Sequence, residues 1–70
     1  MASLGVGVVK TFDDHAGYGT VVDDGGAGWF FHCTSISGGG REINVGERVA
    51  FELVPGRQGS YEATSVTRTG

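Results

Sequence analysis

The chain holds a single cysteine, Cys33, so it can form no internal disulfide, and no Cys/His set carries zinc spacing. No apolar run approaches the roughly 20 residues that span a bilayer. The opening Met1-Ala2-Ser3-Leu4-Gly5 lacks a basic region ahead of an apolar stretch, so no signal peptide is expected. A soluble intracellular protein, cytoplasmic and without a membrane partner, is the expectation. Bases are few: five Lys and Arg stand against eight Asp and Glu in 70 residues, a net charge of −3. Lys10, Arg41, Arg48, Arg57 and Arg68 are scattered, so the basic patch that usually grips phosphates is not legible. Helical periodicity is absent. So is any catalytic constellation: His15 and His32 have no evident nucleophile or metal partner. No enzyme activity, cofactor, metal or small-molecule substrate is expected. Asp13-Asp14 and Asp23-Asp24 lack the offsets and closing acid of a calcium loop and read as turn residues. The segment Gly5-Val6-Gly7-Val8-Val9-Lys10 lacks the third glycine and the following helix of a dinucleotide loop. Nothing near Cys33 marks it as an activated thiol, so it reads as a small, half-buried one.

Glycine, in contrast, is abundant. Fourteen glycines separate short β-prone runs, the pattern of an all-β barrel or sandwich. Five strands are expected at about Val6–Phe12, Tyr18–Asp23, Trp29–Cys33, Arg48–Val54 and Ser60–Arg68. The turns fall at 13–16, 24–26 and 55–59, with a longer connection from Ser37 to Gly46. Val49, Phe51 and Leu53 alternate with Ala50, Glu52 and Val54, which gives the fourth strand a clear inward face. The fifth strand stays ambiguous, because Tyr61/Ala63/Ser65 and Glu62/Thr64/Val66 are both plausible inner sets. No boundary or repeat divides the chain, so residues 1–70 are expected to form one domain. Closing the five strands into a barrel removes the exposed edges that a glycine-rich β chain otherwise leaves open to aggregation.

The aromatics concentrate on two adjacent strands. Tyr18 shares a face with Thr20, opposite Gly19 and Val21, and Phe30 shares a face with His32, opposite Trp29 and Phe31. Pairing those strands brings Tyr18, Phe30 and His32 together as an exposed stacking surface. Such surfaces hold unpaired bases, since every base has a π-face. Trp29 and Phe31 are expected in the core. Phe12 falls between platform edge and core. Lys10 neighbours the platform and is a candidate phosphate contact, and Arg57 is a candidate contact from the last turn.

These residues resemble the bacterial cold-shock domain proteins. Gly7-Val8-Val9-Lys10-Thr11-Phe12 is similar to the family's Gly-Lys-Val-Lys-Trp-Phe. Ala16-Gly17-Tyr18-Gly19-Thr20-Val21 sits where the family has Lys-Gly-Phe/Tyr-Gly-Phe-Ile. Trp29-Phe30-Phe31-His32-Cys33-Thr34-Ser35-Ile36 sits where it has Val-Phe-Val-His-Phe-Ser-Ala-Ile. Gly46-Glu47-Arg48-Val49-Ala50-Phe51 resembles Gly-Gln-x-Val-x-Phe, and Gly56-Arg57-Gln58-Gly59 resembles the turn before the last strand. The resemblance implies an OB-fold: a small five-stranded antiparallel barrel that binds single-stranded RNA or DNA. It carries over Lys10, Phe12, Tyr18, Phe30, His32 and Arg57 as nucleic-acid-binding residues. Four positions depart from it: Thr11, Ala16, Thr20 and Cys33 replace tryptophan, lysine and two phenylalanines. The connection around Arg41 also lacks the usual aromatic. Base–aromatic stacking is worth about 1–3 kcal/mol per base, so affinity below the family norm is expected. A second reading of the reduced platform is a protein-interaction module, or a weak homodimer through the same apolar face.

Overall fold

The computed structural model describes residues 3–38, 43–56 and 59–69. Five strands close into a barrel: β1 (Ser3–Asp13), β2 (Tyr18–Asp23), β3 (Gly28–His32), β4 (Arg48–Pro55) and β5 (Tyr61–Arg68), in the spatial order β1-β2-β3-β5-β4. The expected five-stranded all-β barrel is what the chain forms. The long β1 pairs antiparallel with β2 on one side and with β4 on the other. β3 meets β5 in a parallel seam at Phe30 and Glu62, extended by a bridge from Ile36 to Val66. The third strand was expected to run through Cys33. Instead Cys33–Ser35 is a 3-10 turn, and the Cys33 N–H bonds back to the Gly17 carbonyl at 2.8 Å.

Inward-facing residues of all five strands meet in one core. Val9, Val21, Phe31, Val49, Phe51, Ala63 and Val66 are buried, and among the described residues no polar or charged one is. The expected inward face of β4 holds: Val49 and Phe51 are buried, and Leu53 packs against the cluster half-buried. Gly19 lies in the same layer for a steric reason. A Cβ built there would run into the Thr11 carbonyl oxygen and stand 2.9 Å from Phe12 Cα, so only glycine lets β1 and β2 approach this closely.

Two bulges re-aim side chains that strict alternation would misplace. The β1–β2 register shifts between Val9 and Thr11, so Val9 points inward while Lys10 and Thr11 are both exposed. Phe12 consequently turns toward the core and stacks on Phe31, with ring centroids 5.8 Å apart and planes 9° from parallel. The β4–β5 register shifts between Ala50 and Glu52, where Ser65 takes a positive φ of 52°. Ala63 is inward before that point and Val66 after it, so one residue of each candidate inner set reaches the core, while Tyr61 and Ser65 of the first set are exposed.

Trp29 is half-buried against the core rather than enclosed by it. Its indole N–H donates to Asp23 Oδ2 at 3.0 Å. The other oxygen of that carboxylate accepts the backbone N–H groups of Gly25 and Ala27, each at 2.9 Å. Asp23 is thus the cap of the β2–β3 turn. The indole bond, followed by the Ala27 N–H, holds its carboxyl below the usual value of 3.8, against a smaller opposing effect of burial. Asp13 plays the same part in the first turn, where its Oδ1 accepts from the N–H groups of His15 and Ala16, both at 3.0 Å.

Candidate nucleic-acid interface

The β2–β3 ladder sets Tyr18 opposite His32 and Thr20 opposite Phe30. Side chains on one face of such a pair stand close enough for rings to touch directly and on the diagonal. Phe30 is the middle of the group. Its ring centroid lies 5.4 Å from that of Tyr18, tilted by 37°, and 5.0 Å from that of His32, edge-on at 89°. Tyr18 and His32 are exposed and Phe30 is half-buried beneath them. The structure therefore brings together the three residues that alternation places on one face. Phe31, their neighbour on the opposite face, is fully buried and anchors the strand from inside.

The other candidates are distributed differently. Lys10 is exposed on the outer face at the β1 bulge. Phe12 gives one face of its ring to Phe31, and it also lines a depression shared with Asn44 and Val45. Arg57 lies outside the described residues, as does Arg41. Two features were not anticipated. The Thr11 and Thr20 hydroxyls stand 2.8 Å apart and share a hydrogen bond, so a polar pair occupies the place beside Phe30. Tyr61, weighed above only as an inward residue, is about half exposed, at 51%, at the start of β5. The Thr–Thr bond had no signal in strand alternation, since Thr11 reaches the face of Thr20 only through the bulge between Val9 and Thr11. The exposure of Tyr61 had none, because the register of β5 was undecided.

Charge on this surface is sparse. Arg48 pairs with Asp24 at 3.4 Å, and Arg68 with Glu47 at 2.9 Å. Among the described bases, Lys10 is the one without a described carboxylate partner. Among the described residues, the face offers π-surface, two hydroxyls and one ammonium group. Its chemistry is that of holding a planar ligand.

This geometry is that of an OB-fold barrel with a stacking face, the build of a single-strand-binding module. The chain matches the 'Cold-shock' DNA-binding domain family over residues 5–69. It is 39% identical over 61 residues to Cold shock protein CspB of Geobacillus stearothermophilus, covering 86% of this chain and 92% of that protein. It is 36% identical over 61 residues to Cold shock protein CspD of Bacillus subtilis, with the same coverage of both chains. Glycine-rich protein 2 of Nicotiana sylvestris is 43% identical over 63 residues, which is 87% of this chain and 29% of that longer protein. Relatives thus occur in plants as well as bacteria. The fold is similar to that of the solved structure of drosophila Unr CSD456, with a TM-score of 0.79 and 20% identity, over 97% of this chain and 27% of that one. The chain belongs to the cold-shock domain family, whose members bind nucleic acid.

Proposed function

We propose that this protein holds unpaired RNA or DNA by stacking successive bases on Tyr18, Phe30 and His32, with Lys10 and Arg57 on the backbone and Phe12 at the platform edge. The observation that carries the proposal is the direct contact of three rings on one exposed face. Residues 1–70 act as one non-catalytic domain in the cytoplasm. Bound segments are kept open, because a base lying on a side chain cannot at the same time pair and stack in a duplex. Affinity falls below that of relatives with a full aromatic set: each missing platform removes about 1–3 kcal/mol.

The test is a titration of end-labelled oligo-dT and oligo-U, read by anisotropy at low and moderate salt. The label is needed because Trp29 packs toward the core, on the opposite face of β3 from the rings, and its indole is held by Asp23. Saturable binding with a salt slope of about −0.7 per phosphate neutralised, for one or two phosphates, supports stacking as the main term. No response with either oligonucleotide into the tens of micromolar, roughly the non-specific regime, would overturn the proposal.

A further inference from the structure

The outer face of β1 and β2 continues past the rings. Tyr18, Thr20 and Val22 lie at two-residue steps along β2, each step about 6.8 Å in an antiparallel strand. The register partner of Val22 on β1 is Val8. Both are half-buried. Over this pair stands Val45, 63% exposed. The three valines, with Val9, Lys10 and Gly46, line an open groove of about 370 Å³. None of the three belongs to the core cluster or is among the residues packed against it.

The lip of the groove is braced. Gly46, at a φ of 95° that suits glycine, donates its N–H to the Val9 carbonyl at 2.9 Å, and the Val9 N–H donates to the Glu47 carbonyl at 3.0 Å. The Glu47 carboxylate accepts from the Asn44 N–H at 2.9 Å and pairs with Arg68. The backbone on both sides of Val45 is thereby held, with its side chain 63% exposed at the groove lip. An apolar side chain on a braced backbone is partly preorganised for a partner, which lowers the ordering cost of binding.

Resting on the stacking function proposed above, we infer that this groove is an additional base subsite, filled by the nucleotide next to the one on Phe30. Two observations select that occupant. The groove adjoins the ring face: its Val8–Val22 row lies two residues along β2, and three along the bulged β1, from the Thr11–Thr20 row that adjoins Phe30. Lys10 emerges at the bulge between those rows, where the phosphate joining the two nucleotides would pass. The valines take the base and the ammonium group takes the phosphate. Among the described residues, Lys10 is the one hydrogen-bonding side chain lining the subsite, so it accepts any base.

The experiment is a length series of end-labelled oligo-U, from two to six nucleotides, on the unmodified protein, Val45→Asp and Val22→Thr. Val45 is exposed, and Val22→Thr changes shape little, so both variants are expected to fold. The unmodified protein tightens about three- to tenfold at the length that first reaches the groove, a smaller step than an aromatic platform gives. Both variants lose that step and bind shorter oligomers as the unmodified protein does. Persistence of the step in both variants, or its absence from the unmodified protein while hexamers still bind and weaken on Phe30→Ala, overturns the subsite and leaves the ring face standing. Hexamers that bind no better than dimers and ignore Phe30→Ala overturn both. A concentration-dependent dimer abolished by Val45→Asp would assign the groove to a second copy instead.

Discussion

Phe30 is where the proposed function concentrates, and its removal can be worked through. It is the one ring in contact with both Tyr18 (5.4 Å) and His32 (5.0 Å), so replacing it deletes a platform and also frees the neighbours it orients. The lost stack alone weakens binding by about 1–3 kcal/mol, roughly 5- to 150-fold in Kd. The fold also pays: two aromatic pairs are worth about 0.5–1.5 kcal/mol each beyond area burial. In a domain of this size each kcal/mol lowers Tm by about 4–8 °C. Phe30→Leu is therefore the better variant, since leucine keeps apolar cover over the sheet and removes only the π-face. The expected result is a loss of binding within the range above and a Tm within several degrees of the unmodified protein. The assay is anisotropy of labelled oligo-dT, with Tm from circular dichroism on the same samples. A double-mutant cycle with Tyr18→Ala should be less than additive, because Tyr18 has already lost its ring neighbour once Phe30 is gone. Binding within twofold of the unmodified protein in Phe30→Leu, with the fold intact, would refute the ring platform.

Lys10→Ala should weaken binding of all sequences alike and make the salt slope shallower by about 0.7, the value for one phosphate on a single strand; an unchanged slope would place Lys10 off the backbone path. Gly19→Ala should cost more than about 1–3 kcal/mol, because the obstacle is the Thr11 carbonyl rather than a movable side chain, and thermal melting reads it directly. Asp23→Asn should change the acid limb of stability. A carboxyl whose folded-state pKa is lowered stabilises the fold above its ordinary value of 3.8 and loses that contribution as pH falls through the lower folded value. The variant should therefore be less stable at neutral pH and flatter below pH 4, and identical acid-unfolding curves would refute the capping role.

Most of the candidate site was legible because it sits where register is regular. From Tyr18 to Asp23 and from Gly28 to His32 no residue is inserted, so counting by two places Tyr18, Phe30 and His32 on one face without any tertiary information. Where the chain bulges, counting fails. The shift at Lys10 reverses the faces of everything beyond it, which is why Phe12 was undecided between platform and core and proves to be stacked on Phe31. The shift at Ser65 does the same in β5. A serine at positive φ carries no sequence signal, and neither competing pattern holds along the strand: Ala63 of one set and Val66 of the other reach the core, on opposite sides of it. Trp29 illustrates another limit: hydrophobicity predicted burial, but its depth is set by a hydrogen bond to Asp23 across the turn. The braced position of Val45 depends on backbone bonds to β1 that no local pattern encodes.

The net charge of −3 looks adverse for a ligand made of phosphates, yet the positions of the acids make it less so. Asp13 and Asp23 are spent on turn N–H groups, Asp24 on Arg48, and Glu47 on Arg68 and the Asn44 N–H. Each of these carboxylates is tied to a local donor. They still repel phosphate: Asp13, the register partner of Tyr18, stands within the Debye length of about 8 Å from the ring face, while acids more than that distance away on a barrel 20–26 Å across are largely screened from it. The same placement ties up Arg48 and Arg68, which would otherwise be available to grip the backbone. Electrostatics is thus weakened in both directions, and in the proposed function stacking on Tyr18, Phe30 and His32 is left as the term that decides affinity. A domain built this way discriminates unpaired from paired nucleic acid by whether a base face is free, since a duplex offers as many phosphates but no face to stack on.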